Sequence, residues 1–406
     1  MSGPVQRPAE LGDRSLFPRL EADVYAAHAA ISPPSSRVEQ AVADFMREQA
    51  AKGAGAFMRW KEAREALRPR LGALIGAPGC DVAFTGNTTQ GITAIAVCLP
   101  WRRGERVVLC RGEFPTNVTP WLQAARAHDL QPVWVDAPDP LRPVGDFLDR
   151  LEQALRGGAR LVALSAVAFQ TGMRLPLGEL AALCHAHGAE LFIDAIQAVG
   201  AVPIDVVADG VDYLAAGSHK WLMGLDGCGL LYVAPERAAA LRPLMAGWLS
   251  HEAGGLDFLG RGAGHLRYDR PIRQRADLFE SGMANAIGLI ALGAAIEPLE
   301  ALGTATIFGH VDRYNGALSE GLVARGFRTL RAASVGARAG ILGVLPPGDV
   351  ELIALHAALG RAGVVTSTPD GVLRFAPHWP NAHDEVPRVL DAVDAAVAEL
   401  RAATSA

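Results

Sequence analysis

Hydrophobic positions along the chain recur with two alternating periods. Short apolar runs occur at Val82 to Phe84, Val107 to Leu109, Leu161 to Leu164, Leu191 to Ile193, Val211 to Ala216 (interrupted only by Asp212) and Gly229 to Val233. Each is bounded by Gly, Pro or polar residues, the pattern of strands buried on both faces. Between them lie segments of helical period. Pro33-Pro34 and Ser35-Ser36 predict a helix start for the segment that follows. A second helix is predicted from Met58, with Trp60, Ala63, Leu67, Leu71 and Leu74 on its apolar stripe. Strands and helices alternating at this spacing predict an α/β fold with a largely parallel, covered sheet. Residues 1–30 read as an extended arm with a short helix. A long apolar helix is predicted to begin within LFESGMANAIGLIALGAAIEPLEALG. Beyond it, AGILGVLPP, GVVTS and GVLRFAPH read as strands, and VELIALHAALGRA and EVPRVLDAVDAAVAELRAA as helices. These boundaries predict an arm at 1–30, a large domain at 31–285 and a smaller α+β domain at 286–406.

Two of the apolar runs end in charge. The run at Leu191 stops on Asp194, and the run at Val211 leads into Ser218-His219-Lys220. A buried strand ending in an unpaired ion is costly, so opposite charges at two strand ends point to a site at the carboxyl edge of the sheet. The chain has only three lysines, Lys52, Lys61 and Lys220, and only Lys220 lies between apolar strands. Spacing alone leaves two readings, a structural Asp–Lys ion pair and a catalytic lysine. The Gly-Asn-Thr-Thr turn at 86–89 opens an apolar helix, which is either an ordinary N-cap or an anion site.

Composition narrows the function classes. Of 406 residues half are hydrophobic and a fifth charged, the profile of a globular protein of more than one core. A net charge of −5 gives no support for nucleic-acid binding. No uninterrupted apolar run approaches the roughly 18–20 residues that span a bilayer. The N-terminus shows no apolar core of a signal peptide, so a cytoplasmic protein without membrane attachment is expected. Five cysteines without CxxC spacing read as buried thiols, with no metal site or disulfide framework expected. The segment from Met245 to Asp277 is rich in Gly and Arg and reads as a long functional loop. Its Arg261, His265, Arg267 and Arg273 either face a substrate or lie on a solvated or dimer-interface surface.

Four motifs occur in order: GNTTQG, EFPTN, FIDAIQAVG and GSHKW, with FESGMAN and LRFAPHWPNAHDE beyond them. Together they resemble the class V aminotransferase family, pyridoxal 5'-phosphate enzymes of fold type I that include cysteine desulfurases, kynureninase and isopenicillin N epimerase. The resemblance runs from about His28 to the end. It implies that Lys220 is the Schiff-base lysine and later a proton shuttle. Asp194 matches the partner of the pyridine nitrogen. Gln197 matches the partner of the phenolic oxygen, and Thr88 and Thr89 the phosphate turn. Ser218 and His219 are expected near the phosphate, and Phe114 on the ring. Arg374 matches the substrate-carboxylate clamp, a task that suits a planar guanidinium, and His28 is implied as a further substrate contact. Gly282 precedes Met283 where relatives often carry a threonine that reaches a phosphate across a dimer, so only backbone is left for that contact. A homodimer with shared active sites is implied.

Departures from the family shape the expected reaction. Desulfurases place a His where this chain has Phe114, and Phe moves no protons. They also carry a nucleophilic Cys shortly before the carboxylate-binding Arg, whereas VVTSTPDGVLRF contains none. The leading expectation is Cβ elimination, with C–S cleavage of an S-substituted cysteine and no persulfide on the protein. The alternatives are an aminotransferase or epimerase of a specialised amino acid, an oxidative decarboxylation-deamination, and a non-catalytic member that keeps only the fold.

Overall fold

Three successive runs, Glu190–Asp194, Tyr213–Gly217 and Gly229–Val233, are buried along their whole length and lie side by side. They form the middle of a seven-stranded sheet in a computed structural model that describes residues 8–252 and 256–404. In chain order the strands are β1 Val24–Tyr25, β2 Val82–Thr85, β3 Arg106–Cys110, β4 Gln131–Val135, β5 Leu161–Ser165, β6 Glu190–Asp194, β7 Tyr213–Gly217, β8 Gly229–Val233, β9 Arg328–Thr329, β10 Leu342–Leu345, β11 Val364–Val365 and β12 Leu373–Phe375. The helices are α1 Ser36–Lys52, α2 Phe57–Ala73, α3 Thr88–Cys98, α4 Thr119–His128, α5 Gly145–Leu155, α6 Leu177–Ala186, α7 Pro235–Ala238, α8 Ala286–Ala295, α9 Glu297–Leu302, α10 Thr304–Val323, α11 Leu352–Arg361 and α12 Glu385–Thr404.

The large sheet has the order β2-β8-β7-β6-β5-β3-β4. All pairings are parallel except those of β8, which runs against both β2 and β7. Alternate residues feed two separate cores, as a period of two requires. Leu191, Ile193, Leu214 and Ala216 face one, packed with Leu164, Leu180 and Trp221. Phe192, Tyr213, Ala215 and Leu231 face the other, packed with Ile92, Ile95 and Trp121. A three-stranded antiparallel sheet, β12-β10-β9, packs with Leu318 of α10, Leu355 of α11 and Val389 of α12 into a further core. β1 pairs in parallel with β11, which ties the N-terminal stretch to the region around β12.

Several local expectations change. The expected short helix at 1–30 is absent from residues 8–30, where turns and β1 occur instead; residues 1–7 lie outside the described residues. Pro8, Pro18 and a left-handed Gly12 (φ 78°) interrupt that stretch. On α2, Trp60, Leu67 and Leu71 are buried but Ala63 is exposed. The long apolar helix begins only at α8, where the Asn285 side chain accepts from Gly288 N at 3.0 Å. It is then divided by Pro298 at the start of α9 and by Gly303, whose φ of 76° ends that helix. Residues 253–255 of the Gly/Arg-rich loop lie outside the described residues. Among the described residues no single helix is long and apolar enough to cross a membrane.

The loop before α8 is fixed to β2 by a buried ion pair. Arg68 of α2 donates to Glu280 at 2.5 and 3.0 Å, and Glu280 also accepts from Phe84 N at 3.0 Å. Removing one partner of such a pair strands a buried charge, at a cost of about 3–5 kcal/mol. Glu280→Ala is therefore expected to lower the thermal unfolding midpoint markedly, whereas loss of a surface pair such as Arg361–Glu399 leaves it nearly unchanged.

Candidate active site

Parallel pairing brings the carboxyl ends of β5, β6 and β7 to one edge. Ser165 lies opposite Asp194, and Asp194 opposite Ala215, two residues before Gly217. The chain then leaves β7 through Ser218, His219 and Lys220. Its backbone there is held from several directions. The Ser218 carbonyl accepts from Gly224 N at 2.9 Å, and the His219 carbonyl from Ser32 N at 2.7 Å. The Lys220 carbonyl accepts from Ser32 Oγ at 2.6 Å and Met223 N at 2.9 Å. His378 Nε2 lies 2.9 Å from the Trp221 carbonyl, which can only accept, so that nitrogen carries the hydrogen.

Burial moves the charges at this edge toward neutrality. Lys220 is lowered to about 8, chiefly by desolvation, with Asp194 opposing and Arg374 reinforcing the shift. Asp194, 3% exposed, is raised to about 6 by desolvation; it accepts from Ile196 N at 3.0 Å. Arg374, 4% exposed, is lowered to about 10 by burial. Its Nε donates to Ser367 Oγ at 2.9 Å and its Nη1 to the Phe169 carbonyl at 2.7 Å. No carboxylate among the described residues pairs with it. The edge thus holds a partly buried lysine and a buried arginine that no carboxylate pairs, beside Asp194, and an anionic ligand would complete the pairing of Arg374.

The other expected residues divide between open and occupied. Thr88 is the first residue of α3, and its buried Oγ1 has no hydrogen-bond partner. A Cβ on Gly217 would lie 3.3 Å from that oxygen, so glycine keeps the space beside it open. Thr89 is exposed and its hydroxyl meets that of Thr116. Gln197 gives its Nε2 to the Ala29 carbonyl at 3.0 Å and accepts from Trp221 Nε1 at 2.8 Å. One hydrogen of its amide stays available. Ser218 is not open: its hydroxyl lies between the carbonyls of Leu225 (2.5 Å) and Cys228 (2.9 Å). His219 Nδ1 is 3.4 Å from Asp226, and burial lowers its pKa. Phe114, 48% exposed, has its ring centroid 5.7 Å from Lys220 Nζ.

His28 is 2% exposed, with Nδ1 2.8 Å from Ser32 Oγ. Because that hydroxyl hydrogen goes to Lys220 O, His28 donates to Ser32 and reaches the lysine through it. Gly282 shares a cleft of about 280 Å³ with Gly86, Gln90 and Gly227, beside exposed Met283. In the Gly/Arg-rich loop, Arg267 pairs with Asp269, Arg261 with Asp257 and Arg273 with Asp277. His265 is only partly exposed.

Four further residues belong to this site that no sequence signal singled out. Ser32 and His378 hold the lysine backbone, and Ser367 holds Arg374. Glu113, beside Phe114, accepts from Ser165 N at 2.6 Å and from the Ser165 hydroxyl, and burial raises it to about 7. Their partners are distant in sequence, and only the charge of Glu113 in a turn hinted at a role.

These residues fit a cofactor that carries a phosphate and a ring nitrogen. An unpartnered buried hydroxyl at the start of an eleven-residue helix suits a phosphate oxygen. A buried carboxyl without an arginine partner suits a ring N–H, and a depressed lysine suits covalent attachment.

Comparison with known proteins gives a consistent picture. The family model described as Aminotransferase class-V matches residues 24–371. The chain is 28% identical over 386 residues to an uncharacterized aminotransferase, YcbU, of Bacillus subtilis, covering 94% of this chain and 96% of the relative. It is 30% identical over 299 residues to a probable cysteine desulfurase of Methanothermobacter thermautotrophicus, covering 72% and 71%. Among solved structures, the cystine C-S lyase C-DES in complex with cysteine persulfide shares the fold, with a TM-score of 0.82 at 21% identity over 91% and 96% of the two chains.

The Lys220 environment makes a direct prediction for the cofactor-free protein. The unfolded chain keeps this proton up to about 10.5 and the folded chain only to about 8. The burial penalty is therefore present below pH 8 and is relieved as pH rises from 8 to 10.5. Acylation of Lys220 followed against pH is expected to show a midpoint near 8, and a lower one in Asp194→Asn, which loses the opposing anion. A midpoint at 10.5 would contradict the assigned burial.

Proposed function

The chain belongs to the class V aminotransferase family, and from that premise we propose that it cleaves the Cβ–S bond of an S-substituted cysteine. It is a pyridoxal 5'-phosphate-dependent enzyme acting on amino acids. When bound, the cofactor withdraws electrons from the bonds at the substrate Cα. In this reading Lys220 holds it covalently, Asp194 faces its ring nitrogen, Thr88 its phosphate, Gln197 its phenolic oxygen and Phe114 its ring. Thr89 and Ser218 support the phosphate turn and the lysine loop.

Arg374 binds the substrate carboxylate with the guanidinium hydrogens that Ser367 and Phe169 leave free, a charge-assisted and directional contact. That anchor sets the Cα near Lys220 Nζ. The Lys220 amine, released from the cofactor once substrate is seated and disfavoured as a cation by burial, takes the Cα proton. The Cβ–S bond breaks with its electron pair leaving on sulfur, and Lys220 returns the proton to the departing thiolate. The unsaturated amino acid that results is hydrolysed by water to pyruvate and ammonia.

One observation carries the choice of an elimination without a protein persulfide. The stretch from β11 to Arg374 is short, folded back by a tight turn at Pro369–Gly371, and contains no cysteine. Four of the five cysteines are buried elsewhere, and burial raises Cys184 to about 12 and Cys228 to about 11. The desulfurase relative supports chemistry at a cysteine Cβ. The nearly full-length similarity to YcbU supports a second reading, transfer of the amino group to a keto acid.

We also infer a cytoplasmic homodimer. Unpaired thiols suit a reducing compartment. Exposed Met46, Met283 and Ile287 border an apolar cleft of about 590 Å³ with Phe57 and Trp60, beside the Gly282 turn.

Incubation with S-alkyl cysteines is expected to release pyruvate and ammonia in equal amounts. The amino group appearing on an added keto acid instead would establish the transaminase reading. Lys220→Ala is expected to abolish turnover. Arg374→Gln is expected to raise KM roughly ten- to a hundredfold, the loss of a hydrogen bond to a charged group.

A further inference from the structure

Two phenyl rings connect the anchors of the site. Phe114 meets Phe169 edge to face, with ring centroids 5.4 Å apart and planes at 84°. On one side Phe114 lies 5.7 Å from Lys220 Nζ, and on the other the Phe169 carbonyl takes Arg374 Nη1 at 2.7 Å. The contacts therefore run from Lys220 through Phe114 and Phe169 to Arg374. An amino acid held at its carboxylate by Arg374 and at its Cα by Lys220 spans that distance beside the aromatic pair.

Phe169 is only partly buried. It also lines a cavity of about 250 Å³ with Met173, Leu175 and Val372 on its apolar side and Glu113, Asp370 and Arg111 on its polar side, where Arg111 is already paired with Asp136. Its backbone is fixed by the arginine, while its ring borders empty space into which it can turn. A wall of this kind accepts bulky apolar groups, because the ring yields and the contact stays apolar. An anionic substituent against the phenyl face would lose hydration without gaining a partner from it, and would meet the carboxyl groups of Glu113 and Asp370 beyond.

We propose that Phe169 is the specificity-determining residue of the site, selecting amino acids whose side chain is bulky and apolar. This rests on the placement of an amino acid between Lys220 and Arg374 in the proposed function. For the elimination, the favoured substrates are cysteines with large apolar or aromatic S-substituents.

The test is the binding of phenylalanine, leucine and glutamate to the holoenzyme, read from the change in cofactor absorbance. Phenylalanine and leucine are expected to bind roughly tenfold or more tightly than glutamate. In Phe169→Ala the ratio of phenylalanine to glutamate affinity is expected to collapse, and in Phe169→Leu to be largely kept. The arginine contact is to the Phe169 backbone carbonyl, so both variants retain it. Equal binding of phenylalanine and glutamate by the natural protein, or a ratio unchanged in Phe169→Ala, would overturn the proposal. These three amino acids carry no sulfur leaving group. Failure to release pyruvate from thioethers would thus remove the elimination and leave this preference standing. Failure of every amino acid to perturb the cofactor would remove both.

Discussion

A partly buried lysine and a buried arginine, Lys220 after β7 and Arg374 of β12, meet beside the carboxyl end of β6, and the rest of this structure depends on that meeting. Arg374 stands close enough to Lys220 to disfavour its charged form further, and Asp194 alone opposes that effect. Such an arrangement is unfavourable in an empty protein and is tolerated only where the fold over-determines it. Here the determination comes from β6 and β7, buried throughout and in parallel register, which deliver Asp194 and the lysine turn to the same edge. In the proposed function, the anionic groups of cofactor and substrate offset that cost.

The lysine backbone is correspondingly rigid. Carbonyls of four consecutive residues, Ser218 to Trp221, all accept hydrogen bonds, two of them from Ser32. Buried His378 belongs to that clamp directly, through the Trp221 carbonyl, and buried His28 supports it through Ser32. The N-terminal stretch, tied to the C-terminal region through β1 and β11, thereby holds the Lys220 backbone. Preorganisation of this kind leaves only the Lys220 side chain to move, as its proposed role in binding and proton transfer requires.

What can be read from the sequence follows the range of the interactions. The strands around Asp194 and Lys220 are legible because a short apolar run ending in charge marks a buried strand whose end meets a partner. The helix start at Ser35 is legible because capping is local. The reversal of β8 is not, since an apolar run has no direction. The late start at Ala286 is hidden because apolar content continues through Leu278 and Phe279, which pack in a 3-10 turn. At the site, motif residues such as Thr88 and Arg374 can be named in advance. Ser32, Glu113, Phe169 and Ser367 cannot, because each acts through a partner on another element. Phe169 reaches Arg374 through its backbone carbonyl, a contact that side-chain identity does not encode.

With three lysines in the chain, the central claim can be tested by chemistry at a single residue. Borohydride reduction of the holoenzyme, followed by proteolysis and mass mapping, locates the pyridoxyl group. The account predicts the label on Lys220 alone, with Lys52 and Lys61 unmodified. A label on either of those lysines, or none on Lys220, would contradict it.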